Sequence, residues 1–100
     1  MTISTEKNEG KITFKLDGWL DTASAPELGA EIDKIEAAEA IIIDFDNVEY
    51  MASAGLRQIV ACNRKAKEIN ADFSVINVGQ ETMSIFQLTG LDKKLNIIEK

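Results

Sequence analysis

The fold is decided by the stretch Ile41-Ile-Ile-Asp-Phe-Asp-Asn-Val-Glu-Tyr-Met-Ala-Ser-Ala-Gly-Leu-Arg57. Its first part, from Ala40 to Phe45, is an apolar run without alternation, which predicts a β-strand covered on both faces. An acidic turn follows, and a helical pattern begins near Ser53. The stretch therefore predicts a buried strand that delivers a serine to the start of a helix.

The predicted helix is amphipathic, with an apolar side made of Leu56, Ile59, Val60, Asn63, Ala66 and Ile69. Ser53 is expected to be its N-cap, because a serine there accepts a hydrogen bond from the free N–H groups of the first turn. Ala54 and Gly55 leave that backbone approachable. The same N–H groups favour an anion. A phosphoryl group on Ser53 would therefore be tolerated and would add about −1.5 to −2 charge.

Composition limits the classes of function. The chain has 100 residues, enough for one domain over residues 1–100. Its 17 acidic and 11 basic residues give a charge of −6, which argues against a nucleic-acid partner. The single thiol, Cys62, indicates a reducing compartment. No apolar run approaches the roughly 20 residues needed to cross a bilayer, so we expect a soluble, cytoplasmic protein without membrane insertion.

Strand and helix patterns alternate along the rest of the chain. Two short strands from Thr2 to Leu16 predict a hairpin that turns at Asn8–Gly10, and Trp19 after it is expected to be partly buried. A helix is predicted to start at the capping box Ser24-Ala-Pro-Glu27, with Leu28, Ile32 and Ile35 facing inward. After the Ser53 helix come a strand at Phe73–Val78 and a helix that ends at Thr89-Gly90, with Met83, Phe86 and Leu88 facing inward. A strand at Leu95–Ile98 closes the chain. This order predicts an α/β fold with a mixed sheet of about four to five strands and helices packed on it.

Three segments match one known pattern. They are Leu16-Asp-Gly-Trp-Leu-Asp-Thr-Ala-Ser-Ala-Pro-Glu-Leu28, Asp44-Phe-Asp-Asn-Val-Glu-Tyr-Met-Ala-Ser-Ala-Gly-Leu56 and Met83-Ser-Ile-Phe-Gln-Leu-Thr-Gly-Leu91. The chain resembles the STAS domain, in particular stand-alone bacterial anti-sigma factor antagonists. The similarity runs from about Ile3 to Ile98, and the segment around Ser53 is its most specific part.

The resemblance implies a partner switch. In such antagonists, an anti-sigma factor that is also an ATP-dependent serine kinase phosphorylates the serine at the start of the second helix, and a PP2C-type phosphatase removes the group. The unmodified antagonist binds the anti-sigma factor and releases the sigma factor. The matching serine here is Ser53, and Asp21 matches the acidic position near the same surface. The expected partner-binding residues are Asp21, Ser53, Ala54, Gly55 and Arg57.

Many family members carry Asp before this serine and Ser or Thr after it. This chain has Ala52 and Ala54 there, which leaves Ser53 as the only acceptor in the motif. The alanine-flanked form also resembles STAS domains with other partners. The alternative is therefore an adaptor subunit of a transporter or other signalling complex that is not switched by phosphate. A small-ligand sensor is a third option.

Catalytic and metal sites have less support. Ser53 with Gly55 half resembles the nucleophile elbow of a hydrolase, but Met51 stands where that motif needs Gly, and the chain has no histidine. Asp44, Asp46 and Glu49 could attract a divalent cation, yet their spacing is not that of a calcium loop, and we expect a solvated acidic loop. We predict no enzyme, no cofactor and no metal.

Overall fold

A computed structural model describes residues 1–100. Its elements in chain order are β1 (Thr2–Asn8), β2 (Lys11–Leu20), α1 (Ala25–Asp33), β3 (Ala40–Met51), α2 (Ser53–Glu68), β4 (Asp72–Val78), α3 (Gln80–Leu88), a short 3₁₀ helix (Leu91–Lys93) and β5 (Ile97–Glu99). The predicted α/β class and the mixed sheet with helices packed on it are confirmed. None of the helices combines the length and apolarity that crossing a bilayer requires.

The sheet order is β1-β2-β3-β4-β5. Strands β1 and β2 are antiparallel, and the other neighbouring pairs are parallel. The predicted hairpin is confirmed. Glu9 and Gly10 connect its strands with φ of 52° and 83°, and positive φ at both central residues is typical of the two-residue turn that matches the twist of a hairpin. Parallel pairing needs crossovers, which α1, α2 and α3 supply.

The core lies on one face of the sheet. Parallel register places Ile12, Ile41 and Phe73 in one row, and all three are buried. They share a single buried cluster with residues from all three α-helices, while Ile42 on the other face is only half-buried. The prediction that β3 is covered on both faces is wrong, because the helices pack on the same side.

Helix α2 presents a different face to the core from the one predicted. Its buried residues are Gly55, Ile59, Cys62 and Ala66. Ile59 and Ala66 were expected inward, but Leu56, Val60, Asn63 and Ile69 are only half-buried. The small residues Gly55 and Cys62 let the helix approach the sheet closely, whereas the hydropathy pattern gave weight to the larger apolar side chains.

The last helix and strand follow in the predicted order, but the buried face of the helix and the start of the strand differ from the prediction. Phe86 is buried with its ring 6.4 Å from that of Phe45, and Gly90 ends the helical segment in the left-handed region with φ of 75°. Leu88 is 87% exposed, so its predicted inward position is wrong. It stands about 200° around the helix from Phe86. The last strand begins at Ile97, later than the predicted Leu95.

Candidate functional site

Two neighbouring strand ends bring the predicted site residues together. Leu20 and Met51 end β2 and β3 opposite each other, and the Ala52 N–H donates to the Leu20 carbonyl oxygen over 2.9 Å. The turn that begins at Asp21 and the helix that begins at Ser53 therefore leave the sheet side by side. This junction, residues 19–24 together with residues 50–57, is called the switch surface below.

Ser53 is exposed and is the first residue of α2 rather than its cap. The N-cap is Ala52, with φ of −87° and ψ of 171°, and no side chain caps the helix. The prediction of Ser53 as a hydrogen-bonded N-cap is therefore wrong. The bond from Ala52 to the Leu20 carbonyl holds Ala52 in extended backbone at the helix boundary. Ser53 thus lies inside the first turn, with a hydroxyl that accepts no capping bond.

Asp21 organises a tight turn before α1. Its carboxylate accepts hydrogen bonds from the backbone N–H groups of Ala23 (3.1 Å) and Ser24 (3.0 Å). These bonds, led by the backbone N–H of Ser24 and followed by its hydroxyl, hold the pKa of Asp21 below the ordinary value of 3.8. Such a turn is the common structural use of aspartate after a strand.

The hydroxyl of Ser24 is buried and points back into this turn. It accepts from the Asp21 N–H over 2.9 Å and lies 2.7 Å from the Trp19 carbonyl oxygen, to which it donates. Helix α1 begins at Ala25 with Pro26 in its first turn, as predicted. The expected capping bond is absent, because the serine hydroxyl is used by the turn instead.

Gly55 fixes how closely α2 approaches the sheet. A Cβ atom at this position would lie 2.6 Å from the Leu20 carbonyl oxygen and 2.7 Å from Leu20 Cγ. Gly55 is itself buried, and Ala54 beside it is half-buried against the core. Of the five predicted partner-binding residues, Gly55 therefore lies beneath the surface, where it positions Ser53.

Arg57 lies one helical turn after Ser53 and is exposed. The three ion pairs of the structure are Lys15–Glu6, Lys34–Glu31 and Lys100–Asp46, so Arg57 has no carboxylate partner. Its guanidinium is the only basic group on the switch surface. The structure thus places Asp21, Ser53 and Arg57 around one exposed junction.

Sequence reasoning missed an aromatic pair at the same junction. Trp19, which was predicted to be partly buried, is 56% exposed. Its ring centroid lies 5.2 Å from that of Tyr50, which is 49% exposed. The two residues precede Leu20 and Met51, which are buried on the opposite face. Strand alternation at these paired ends would have placed both rings outward.

The junction lacks the groups that nucleophilic catalysis by Ser53 would need. The chain has no histidine, and no side chain forms a hydrogen bond with the Ser53 hydroxyl that would take its proton. Burial raises the pKa of the Cys62 thiol to about 12, so this thiol does not supply a thiolate near neutral pH.

The acidic residues after the core strand do not form a loop. Asp44 and Asp46 both lie within β3, which corrects the prediction of an acidic loop. Asp44 accepts from Asn77 over 3.0 Å, and Asp46 pairs with Lys100 over 3.3 Å. No three His, Cys, Asp or Glu side chains are grouped to hold a metal ion. A groove of about 800 Å³ lies apart from the switch surface, between the β1–β2 hairpin and the end of α1.

Several relatives of this chain are named anti-sigma factor antagonists. The model of the STAS domain family matches residues 2–100. The anti-sigma-F factor antagonist RsfB of Mycobacterium tuberculosis is 27% identical over 99 residues, which cover 97% of this chain and 80% of RsfB. The anti-sigma-B factor antagonist of Bacillus subtilis is 26% identical over 101 residues, which cover 100% of this chain and 93% of that protein.

Solved structures agree with these matches. An anti-sigma factor antagonist from Mycobacterium paratuberculosis has a TM-score of 0.88 and 29% identity, covering 99% of this chain and 86% of its own. The antagonist SpoIIAA in its unphosphorylated form has a TM-score of 0.79 and 17% identity, covering 99% and 88%. The Bacillus cell fate determinant SpoIIAA in its phosphorylated form has a TM-score of 0.77 and 20% identity, covering 96% and 90%. The chain is a member of the STAS domain family.

Proposed function

We propose that this chain is an anti-sigma factor antagonist whose unmodified form binds an anti-sigma factor, and that phosphorylation of Ser53 ends the binding. The observation that carries the proposal is the exposed Ser53 hydroxyl, which makes no internal hydrogen bond on the first turn of α2. The relatives of this chain that are named anti-sigma factor antagonists support the same function. The proposal takes residues 1–100 as one domain that acts by binding rather than by catalysis.

The proposed partner is an anti-sigma factor that is also a serine kinase. It would transfer the γ-phosphoryl group of ATP to the Ser53 oxygen, with loss of the hydroxyl proton and release of ADP. A phosphatase of the PP2C type would hydrolyse the phosphoserine and restore the hydroxyl. Because a sigma factor acts on transcription, we place this cycle in the cytoplasm.

The physical basis of the proposed switch is a change of charge at a fixed position. A phosphate adds about −1.5 to −2 charge and three acceptor oxygens. Ser53 stands next to the Asp21 turn, so the new charge would lie near an existing carboxylate. A partner surface that fits the neutral hydroxyl would then face both like-charge repulsion and the desolvation of a dianion.

The proposed contact surface contains Asp21, Ser53, Ala54 and Arg57, with Gly55 supporting them from below. Trp19 and Tyr50 expose apolar area at the same strand ends, on the sheet face opposite α2. Aromatic and arginine side chains are the residue types that most often dominate interface energies. The switch surface therefore combines an uncharged switch residue with side chains suited to anchor a partner.

The test is capture of partners from lysate of the source bacterium, with wild-type, Ser53→Ala and Ser53→Asp proteins as baits. We expect the wild type and Ser53→Ala to retain an ATP-binding anti-sigma factor and Ser53→Asp to lose it. Ser4→Asp is the matched control, since Ser4 is an exposed serine on the edge strand β1, opposite Lys15. It should bind as the wild type does, and circular dichroism should find all four proteins folded.

A partner held equally by Ser53→Ala and Ser53→Asp would contradict the proposed switch. Recovery of transporter subunits by all baits would favour the alternative, a STAS adaptor that docks without regulation by phosphate. In that case Ser53 would only begin α2, within a constitutive docking surface.

A further inference from the structure

Arg57 is the only cation of α2 within one helical turn of Ser53. The two residues are exposed and stand four positions apart in α2, so their Cβ atoms are about 5–6 Å apart on one face of the helix. Side chains of a helix lean toward its N-terminus, which brings the guanidinium of Arg57 back over the turn that carries Ser53. Arg57 takes part in none of the ion pairs of the structure.

The neighbouring elements contribute one carboxylate and one further cation. The turn before α1 contributes Asp21, and the α-amino group of Met1, beside Gly18, helps to lower the pKa of Asp21. The next basic residue of α2 after Arg57 is Arg64, almost two turns further along. Within α2, a negative group on Ser53 would therefore have Arg57 as its cationic partner.

We propose that Arg57 pairs with the phosphate once Ser53 is modified. The inference rests on the proposed function, in which Ser53 is the residue phosphorylated. An arginine fork donates two parallel hydrogen bonds to phosphate oxygens, and charge-assisted bonds of this kind are stronger than neutral ones. Phosphorylation then acts in two ways: it adds negative charge to the switch surface, and it withdraws the guanidinium that the unmodified form offers to an acidic group of the partner.

The experiment measures the second pKa of phosphoserine at position 53 by phosphorus NMR. Phosphoserine is inserted at that codon during translation, so the result does not depend on whether a kinase modifies Ser53 in cells. The second pKa of a phosphoserine is ordinarily about 6. Since a helical pair four residues apart is worth a few tenths of a kcal/mol, we expect the wild-type value to be about 0.3 pH unit below that of Arg57→Gln.

Arg64→Gln is the matched control, because it removes the same charge from the same helix away from Ser53. It should leave the pKa of the phosphoserine at the wild-type value. Equal pKa values in wild type and Arg57→Gln would overturn the pairing. A shift in Arg64→Gln as large as that in Arg57→Gln would also overturn it, since the effect would then come from net charge.

Discussion

The starts of α1 and α2 each carry a serine, and the two hydroxyls are in opposite situations. Ser24 is buried, and its hydroxyl bonds to the Trp19 carbonyl, the Asp21 N–H and the Asp21 carboxylate. Ser53 is exposed and makes no internal hydrogen bond. The Ser24 hydroxyl thus stabilises its turn, whereas the Ser53 hydroxyl faces solvent.

The difference shows how a small domain holds a serine side chain out to solvent at a helix start without loss of order. The Ser24 turn closes β2 onto α1, and the bond between Leu20 and Ala52 ties β2 to the start of α2. Gly55 then lets α2 sit directly against Leu20. The backbone of its neighbours therefore fixes the position of Ser53, and no internal hydrogen bond of its own side chain does so.

The largest effect on stability is expected from Gly55→Ala, which tests the close approach at the start of α2. The new Cβ would lie 2.6 Å from a backbone oxygen, so the helix must shift. We expect a loss of about 2 kcal/mol in the free energy of unfolding, despite the better helix propensity of alanine. Urea denaturation measures it.

Gly29→Ala is the control for this substitution. It lies within α1, where a Cβ would meet only the flexible end of the Gln58 side chain. Because the gain in helix propensity is the same, we expect Gly29→Ala to be neutral or to stabilise by up to about 1 kcal/mol. A similar loss in both variants would contradict the account of Gly55.

The next effect separates the two serines directly. Ser24→Ala leaves the Trp19 carbonyl and the Asp21 N–H without their partner in a part-buried turn, and we expect it to destabilise by about 1–2 kcal/mol. Ser53→Ala removes an exposed hydroxyl without an internal bond and should stay within about 0.5 kcal/mol of wild type. Thermal unfolding of the two variants side by side measures the contrast. An equal loss of stability in Ser24→Ala and Ser53→Ala would contradict the proposed difference between the two serines.

A smaller effect is expected from Asp21, through the pH dependence of stability. Its folded pKa is lowered below 3.8, so its charged form stabilises the protein above that pH, and the contribution is lost as pH falls through the folded pKa. Asp21→Asn should therefore differ most from wild type above about pH 4 and converge with it in more acidic solution. Melting curves from acid to neutral pH measure this, and a constant difference throughout would contradict it.

The smallest effect is expected from Trp19→Ala. Trp19 is 56% exposed and contacts Tyr50 across the strand ends, so most of its surface is already in water. An aromatic pair is worth about 0.5–1.5 kcal/mol beyond burial, and we expect a loss at the low end of that range. Denaturation measures it. A loss as large as that of a buried aromatic, about 3–5 kcal/mol, would show Trp19 to be part of the core.

Much of the fold was predictable because strong local patterns set it. The hairpin, the core strand at Ile41–Phe45, the helix after Ser53 and the closing strand all follow from periodicity and turn residues, and the resemblance to the STAS domain is confirmed. The errors share a cause. Which face of α2 is buried, and whether β3 is covered on both faces, depend on how helices pack, which local patterns do not contain.

The location of the candidate site could be predicted, but the hydrogen bonds that shape it could not. The resemblance to the STAS domain implied that Asp21 and Ser53 lie near one surface, and the structure brings them to adjacent strand ends. It could not show that Ala52 would end up at the boundary of α2, because this is set by a bond to Leu20, far away in the chain. The exposed Trp19 was missed because large aromatic residues are more often buried.

The most direct test of the central claim is addition of MgATP to the complex captured by the wild-type protein, read by intact mass spectrometry with site mapping. The proposed switch predicts one phosphate on Ser53 and release of the chain from its partner, whereas Ser53→Ala gains no phosphate and stays bound. Retention of the wild-type complex without a change in mass, or a phosphate on another residue, would contradict it.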